Sequence, residues 1–232
     1  MKVGIIGAMD LEVERLWSHM ESKHVVEHLG MKFVEGTLDK VPAAVVMCGI
    51  GKVNAALCAL ALVEKFGVTH VINTGVGGSL DARINIGDIV VATDAVHHDM
   101  DVQALGYAPG QVPDMDVFSF PCDANMRTLA IEAVREAAPE VRAFEGRVAS
   151  GDQFLASEGQ KDRIVGDFGA LCGEMEGAAI AHACYLAHIP CLVVRAISDK
   201  ADGSAEMDYP TFKREAAARS ARVIERLITL MR

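Results

Sequence analysis

Apolar runs of about five residues alternate along this chain with stretches that carry apolar side chains at helical spacing, a pattern that predicts an α/β protein. Residues 2–6 read as a first buried strand, and Gly7-Ala8-Met9-Asp10 turns it into a helix carrying Glu12, Leu16 and Trp17. Residues 33–38 and 43–47 read as two strands joined at Asp39-Lys40, followed by a helix over 53–66. Further strands are predicted at 70–74, 89–92, 141–149 and 191–197, with helices at 124–138, 178–187 and 210–231. The last helix places Pro210 in its first turn, where a missing N–H costs nothing, and buries Val223, Leu227 and Leu230. With no linker, internal repeat or low-complexity tract, the 232 residues are expected to form one domain, residues 1–232.

Composition narrows the classes. Hydrophobic residues make up 51% and aromatics only 5%, so the core is expected to be aliphatic. A net charge of −10 argues against nucleic-acid partners and against anionic membrane surfaces. The opening MKVGIIGAMD suits a strand better than a signal peptide, and no run approaches the ~18 apolar residues of a membrane span. Six scattered cysteines without a C-x-x-C pair, several inside apolar runs, point to buried thiols and a cytoplasmic location.

The candidate chemistry centres on residues 172–199. Gly173-Glu174-Met175-Glu176-Gly177 reads as an acidic turn before a helix, and the strand at 191–197 releases Ser198-Asp199 at its carboxyl end. Open α/β sheets place ligand groups at such strand ends and helix starts. Arg195 lies inside that apolar strand, and a buried charge requires a partner. Glu12 admits two readings: a carboxylate that suits the first turn of a helix, or a general base at the mouth of the sheet.

Two glycine motifs fail as nucleotide loops. Gly49-Ile50-Gly51-Lys52 is followed by Val53 where a phosphate loop needs Ser or Thr, and Gly75-Val76-Gly77-Gly78-Ser79 has Leu80 where the dinucleotide fingerprint needs glycine. The second still reads as a turn that lets a ligand approach the backbone. His97-His98-Asp99-Met100-Asp101 suits a subunit contact better than a metal site, and residues 102–120 form a long loop or interface segment. Phe154, after Ser150-Gly151-Asp152-Gln153, suits either stacking on a flat ring or plugging the core.

Taken together, GIIGAMDLE, GIGKVNAA, INTGVGG, GDIVV, HHDMDVQALGYAPGQVP, SGDQF, EMEGAAIAHACY and VVRAISD span nearly the whole chain. In this order they resemble the bacterial 5′-methylthioadenosine/S-adenosylhomocysteine nucleosidases of the nucleoside phosphorylase superfamily. The resemblance implies a three-layer α/β/α sandwich with a central mixed sheet, a homodimer, and hydrolysis of adenine nucleosides without metal or cofactor. Residue by residue, Glu12 resembles the base that activates water and Asp199 the acid at adenine N7, with Ser198 steadying it. Glu176 resembles the carboxylate on the ribose hydroxyls, Met175 the sugar contact, Phe154 the ring on adenine, and Leu155 the backbone that reads the base edge. Arg195 and Glu174 look like supports, and Tyr209 like the aromatic near the 5′-substituent. Met9, Ile50, Val76, Gly77 and Gly78 complete the implied substrate surface, while Val102, Leu105, Tyr107 and Pro113 match a loop that reaches the partner subunit's site.

Position 76 is Val where many family members carry serine, which leaves water placement open. A purine nucleoside phosphorylase is the nearest rival, but it needs cations around its anion, and only Lys52 stands beside a glycine turn. A 6-amino-6-deoxyfutalosine hydrolase would differ in its 5′ pocket. A nucleoside-binding protein without catalysis would need neither an acid nor a base.

Overall fold

The computed structural model describes residues 1–200 and 205–232. Among them the strands are Val3–Gly7 (β1), Glu21–His28 (β2), Met31–Leu38 (β3), Val41–Met47 (β4), His70–Ser79 (β5), Ile89–His97 (β6), Phe120–Pro121 (β7), Ala143–Ser150 (β8), Cys172–Glu174 (β9) and Cys191–Asp199 (β10). The helices are Asp10–His19 (α1), Lys52–Glu64 (α2), Ala124–Ala137 (α3), Glu158–Phe168 (α4), Gly177–Leu186 (α5) and Ala205–Leu230 (α6). No helix among the described residues is long and apolar enough to cross a membrane.

β1 is buried at all five positions, as a strand covered on both faces must be. It pairs in parallel with β4 and β5, and β3 and β2 extend the sheet antiparallel beyond β4. On the other side the sheet curls. β10 runs parallel to β5 and antiparallel to β6; β6 is parallel to β8 and β8 to β9; β9 then returns antiparallel to β5 at Gly78 and Ser79. Five strands thus close a ring, which leaves none of them with a free edge.

Helices cover both faces, giving the expected three layers around a mixed sheet. On one side Val13, Leu16, Met126, Val134, Val223 and Leu227 of α1, α3 and α6 pack on Ile5, Ile72 and Val194. On the other, α2 and α5 set Cys58, Leu62 and Ile180 against Ile6, Val46 and Val71. α4 packs Ile164 and Phe168 on Val96, Ala149 and Leu155 beside the ring. The cores are almost wholly aliphatic.

Several boundaries differ from expectation, for physical reasons. Gly75–Ser79 is not a turn: β5 runs through it, because β10 and β9 supply ladder partners to its end. Residues 172–174 form a strand, so the acidic turn shrinks to Met175 and Glu176, with Glu176 at the N-cap of α5. α6 begins at Ala205, which puts Pro210 in its second turn instead of its first. β2 and α4 are additional. β2 is exposed at its first five positions and so shows little apolar pattern. α4 announces itself by its caps: Ser157 accepts from the amide of Gln160 at 3.3 Å, and Gly169 ends it at φ 62°.

Candidate active site

The carboxyl ends of β1, β5 and β10 and the starts of α1 and α5 converge on one cleft. It encloses ≈ 590 Å³ of space that is open to solvent. Its walls carry Glu12, Glu174, Glu176 and Asp199, faced by Met9, Ile50, Val76, Phe154, Met175 and Tyr209. Among the described residues no Lys or Arg lines it.

Glu12 stands both at the start of α1 and in the wall of the cleft. As the third residue of α1 its Oε2 accepts from the amides of Ala8 at 2.7 Å and Met9 at 2.9 Å, closing the helix start. Its Oε1 accepts from the Val76 amide at 3.0 Å. A carboxylate accepts about four hydrogen bonds, so three amides fix this one and leave about one lone pair toward the cleft. Burial raises its pKa; the Arg195 charge and the three amides oppose that rise. The Val76 contact with Glu12 is through its backbone N–H and does not depend on the side chain.

Arg195 is buried, and its partner is Glu174. The guanidinium also donates to Asn73 Oδ1 and, at 3.0 Å, to the Val194 carbonyl. Glu174 further accepts from Ser150 Oγ and from the amides of Glu176 at 3.1 Å and Gly177 at 2.8 Å. This network lies under the cleft floor, fixes the start of α5, and so orients Glu176. Glu176 Oε1 accepts from the Gly51 amide at 2.8 Å. Burial first, and the neighbouring Glu174 charge second, push its pKa up to about 7.

Asp199 ends β10 with Oδ1 accepting from Ser198 Oγ at 2.9 Å. The glycines of β5 explain themselves here. A Cβ on Gly75 would stand 2.6 Å from Glu12 Oε1, and one on Gly78 2.7 Å from Asp199 Oδ2. Gly77 likewise abuts Cys172 Sγ. These positions lack side chains so that the two carboxylates can lie against the strand.

Phe154 is 48% exposed, its ring tilted 65° to that of Tyr209 at a centroid distance of 5.6 Å, so it does not plug the core. Tyr209 donates to Met9 Sδ at 3.3 Å. Lys52 is engaged elsewhere: it pairs with Asp99 at 2.5 Å, while Asp99 and Asp152 accept from the amides of Asp152 and Lys52, each at 2.9 Å. This clamp ties the Gly51 loop to the Phe154 loop. His97 lies against Phe120 and His182, and His98 is buried. Val102, Leu105, Tyr107 and Pro113 do not line the cleft of their own chain.

The cleft thus gathers Met9, Glu12, Ile50, Val76, Gly77, Gly78, Phe154, Leu155, Glu174, Met175, Glu176, Ser198, Asp199 and Tyr209, with Arg195 behind it. Ala8, Gln153 and Gly173 also line it, and Asn73 and Ser150 support it. Ala8, Gln153 and Gly173 adjoin predicted residues in the sequence, whereas Asn73 and Ser150 do not, and both contribute through buried contacts that no periodicity reveals.

Fold and cleft together define a class: residues 2–229 match the family model described as the phosphorylase superfamily. A 5′-methylthioadenosine/S-adenosylhomocysteine nucleosidase of Chromohalobacter salexigens is 39% identical over 228 residues, 98% of this chain and 96% of that protein. The crystal structure of such a nucleosidase from Neisseria meningitidis, in complex with methylthio-immucillin-A, superposes with a TM-score of 0.94 at 36% identity, covering 99% of both chains. A futalosine hydrolase of Helicobacter pylori superposes at 0.93 with 33% identity, covering 99% of this chain and 98% of that one. The chain belongs to the phosphorylase superfamily and, within it, to the 5′-methylthioadenosine/S-adenosylhomocysteine nucleosidase family.

Proposed function

We propose that this enzyme hydrolyses the N-glycosidic bond of 5′-methylthioadenosine and S-adenosylhomocysteine, and of 5′-deoxyadenosine, releasing adenine and the ribose product for methionine salvage. The observation that carries the reading is two buried carboxylates, Glu12 and Asp199, held against one strand of a cleft with an exposed aromatic ring at its rim. Bond cleavage develops positive charge on the ribose and negative charge on the leaving base. Asp199 gives a proton to adenine N7, and the C1′–N9 electron pair stays on the base. Glu12 takes a proton from water, whose oxygen bonds to C1′. Glu176 holds the ribose hydroxyls, Met175 packs on the sugar, Phe154 stacks on adenine, and Tyr209 with Met9 borders the 5′-substituent. Among the described residues no Lys or Arg lines the cleft to hold a phosphate, and the Glu12 carboxylate would repel one, which favours water over phosphorolysis.

A second reading is supported by the futalosine hydrolase neighbour: the same site acting on 6-amino-6-deoxyfutalosine. Comparing the two substrates in one assay separates them. We further infer a homodimer. Val53, Leu57 and Leu60 lie exposed at helical spacing on α2, next to Ile50 at the cleft rim. A second chain on this face could bring its Val102, Leu105, Tyr107 and Pro113 to the site. Six buried cysteines without disulfides suit a reducing, cytoplasmic setting.

Glu12→Gln and Asp199→Asn test the assignment. Each is expected to lower adenine release by ~10²-fold or more, on the scale of losing an acid or a base. Near-native turnover in either variant would remove that residue from its role.

A further inference from the structure

Beyond the groups already placed, one charge is buried against the site without lining it. Lys161, on α4, is 2% exposed in a segment packed by Ile164 and Phe168. Its Nζ donates to the Lys200 carbonyl and lies 3.9 Å from Asp199 Oδ2, on the side of the carboxylate away from Ser198. Burying an ammonium is expensive unless it is compensated, and an apolar residue at this place in the helix would pack without that cost. The carbonyl of Lys200 alone needs a donor, not a charge.

We propose that Lys161 is an electrostatic positioning residue: its ammonium stabilises the carboxylate that Asp199 becomes as it protonates the leaving base. The inference rests on Asp199 being the acid of the proposed reaction. In that step the Asp199 O–H bond breaks, the N7–H bond forms, and a full negative charge appears on Asp199. Lys161 gives up no proton; it is a fixed charge already oriented where negative charge develops, the arrangement that contributes most in a water-poor site. Among the described residues Tyr209 from α6 and Cys172 from β9 also face Asp199, neither of them a cation. Arg195, the other buried cation near the cleft, is bound to Glu174.

The test is the pH dependence of 5′-methylthioadenosine hydrolysis by the full chain carrying Lys161→Met or Lys161→Gln. Glutamine can still donate to the Lys200 carbonyl, so it separates the tether from the charge. Both variants are expected to lower kcat about tenfold or more with little change in KM. Both should also move the alkaline limb of kcat/KM upward by about one pH unit or more, because a lost cation weakens the neighbouring acid. A Lys161→Gln protein with native kcat and an unmoved limb overturns the proposal. A loss of kcat equal at every pH also overturns it, since that marks a structural tether. Asp199→Asn is measured beside them: if it keeps native turnover, the assignment of the acid fails instead.

Discussion

Replacing Glu176 by glutamine should stabilise the protein while disabling it. Glu176 stands 6% exposed beside Glu174, and burial with that second carboxylate lifts its pKa from the ordinary 4.5 to about 7. The folded protein therefore holds a proton on Glu176 more readily than the unfolded chain does. Below pH 4.5 both states carry it neutral and there is no penalty. The penalty grows between pH 4.5 and about 7 and stays constant above. From 4.5 to about 7, at 1.36 kcal/mol per pH unit, the full cost is about 3 kcal/mol. Glutamine keeps the volume and an oxygen for the Gly51 amide, so Glu176→Gln should recover about 1–3 kcal/mol at pH 8. Urea unfolding of both proteins at pH 4 and pH 8 measures this. The gain should be present at pH 8 and small at pH 4, and adenine release should fall about tenfold or more with the proposed ribose anchor lost. A variant less stable than native at pH 8, or a gain that does not depend on pH, would refute the electrostatic account of this site.

Two further substitutions probe geometry and assembly. Gly78→Ala places a methyl 2.7 Å from Asp199 Oδ2 and 3.3 Å from its Cγ, so the proposed acid must move. A misplacement of that size should reduce adenine release ~10²-fold, read by steady-state kinetics on 5′-methylthioadenosine. Leu57→Lys puts a charge in the exposed apolar face of α2. Sedimentation velocity should show a native dimer and a monomeric variant, and activity should fall with dissociation; an unchanged mass for both would place the interface elsewhere.

The strands at the centre of the sheet were legible because burial on both faces leaves continuous apolar runs, as in VGIIG of β1 and CLVVRAISD of β10. Arg195 interrupting such a run, and the pairing it required, could likewise be read without coordinates. What could not be read was set by partners distant in sequence. β2 is exposed and owes its strand to pairing with β3. The glycines of β5 look like a turn until Glu12 and Asp199 are found pressed against them. Lys161 carries no sequence signal either, because its meaning depends on the end of a strand 38 positions away (Lys161 to Asp199). Similarly, the apolar outer face of α2 reads as ordinary core spacing until its exposure is seen.

The most direct test of the central claim is adenine release from 5′-methylthioadenosine by the native protein in phosphate-free buffer, with and without added phosphate. A cleft with no lining cation among the described residues predicts release at the same rate in both, with free methylthioribose as the second product. Release that requires phosphate and yields a sugar phosphate would contradict it and move the enzyme to phosphorolysis.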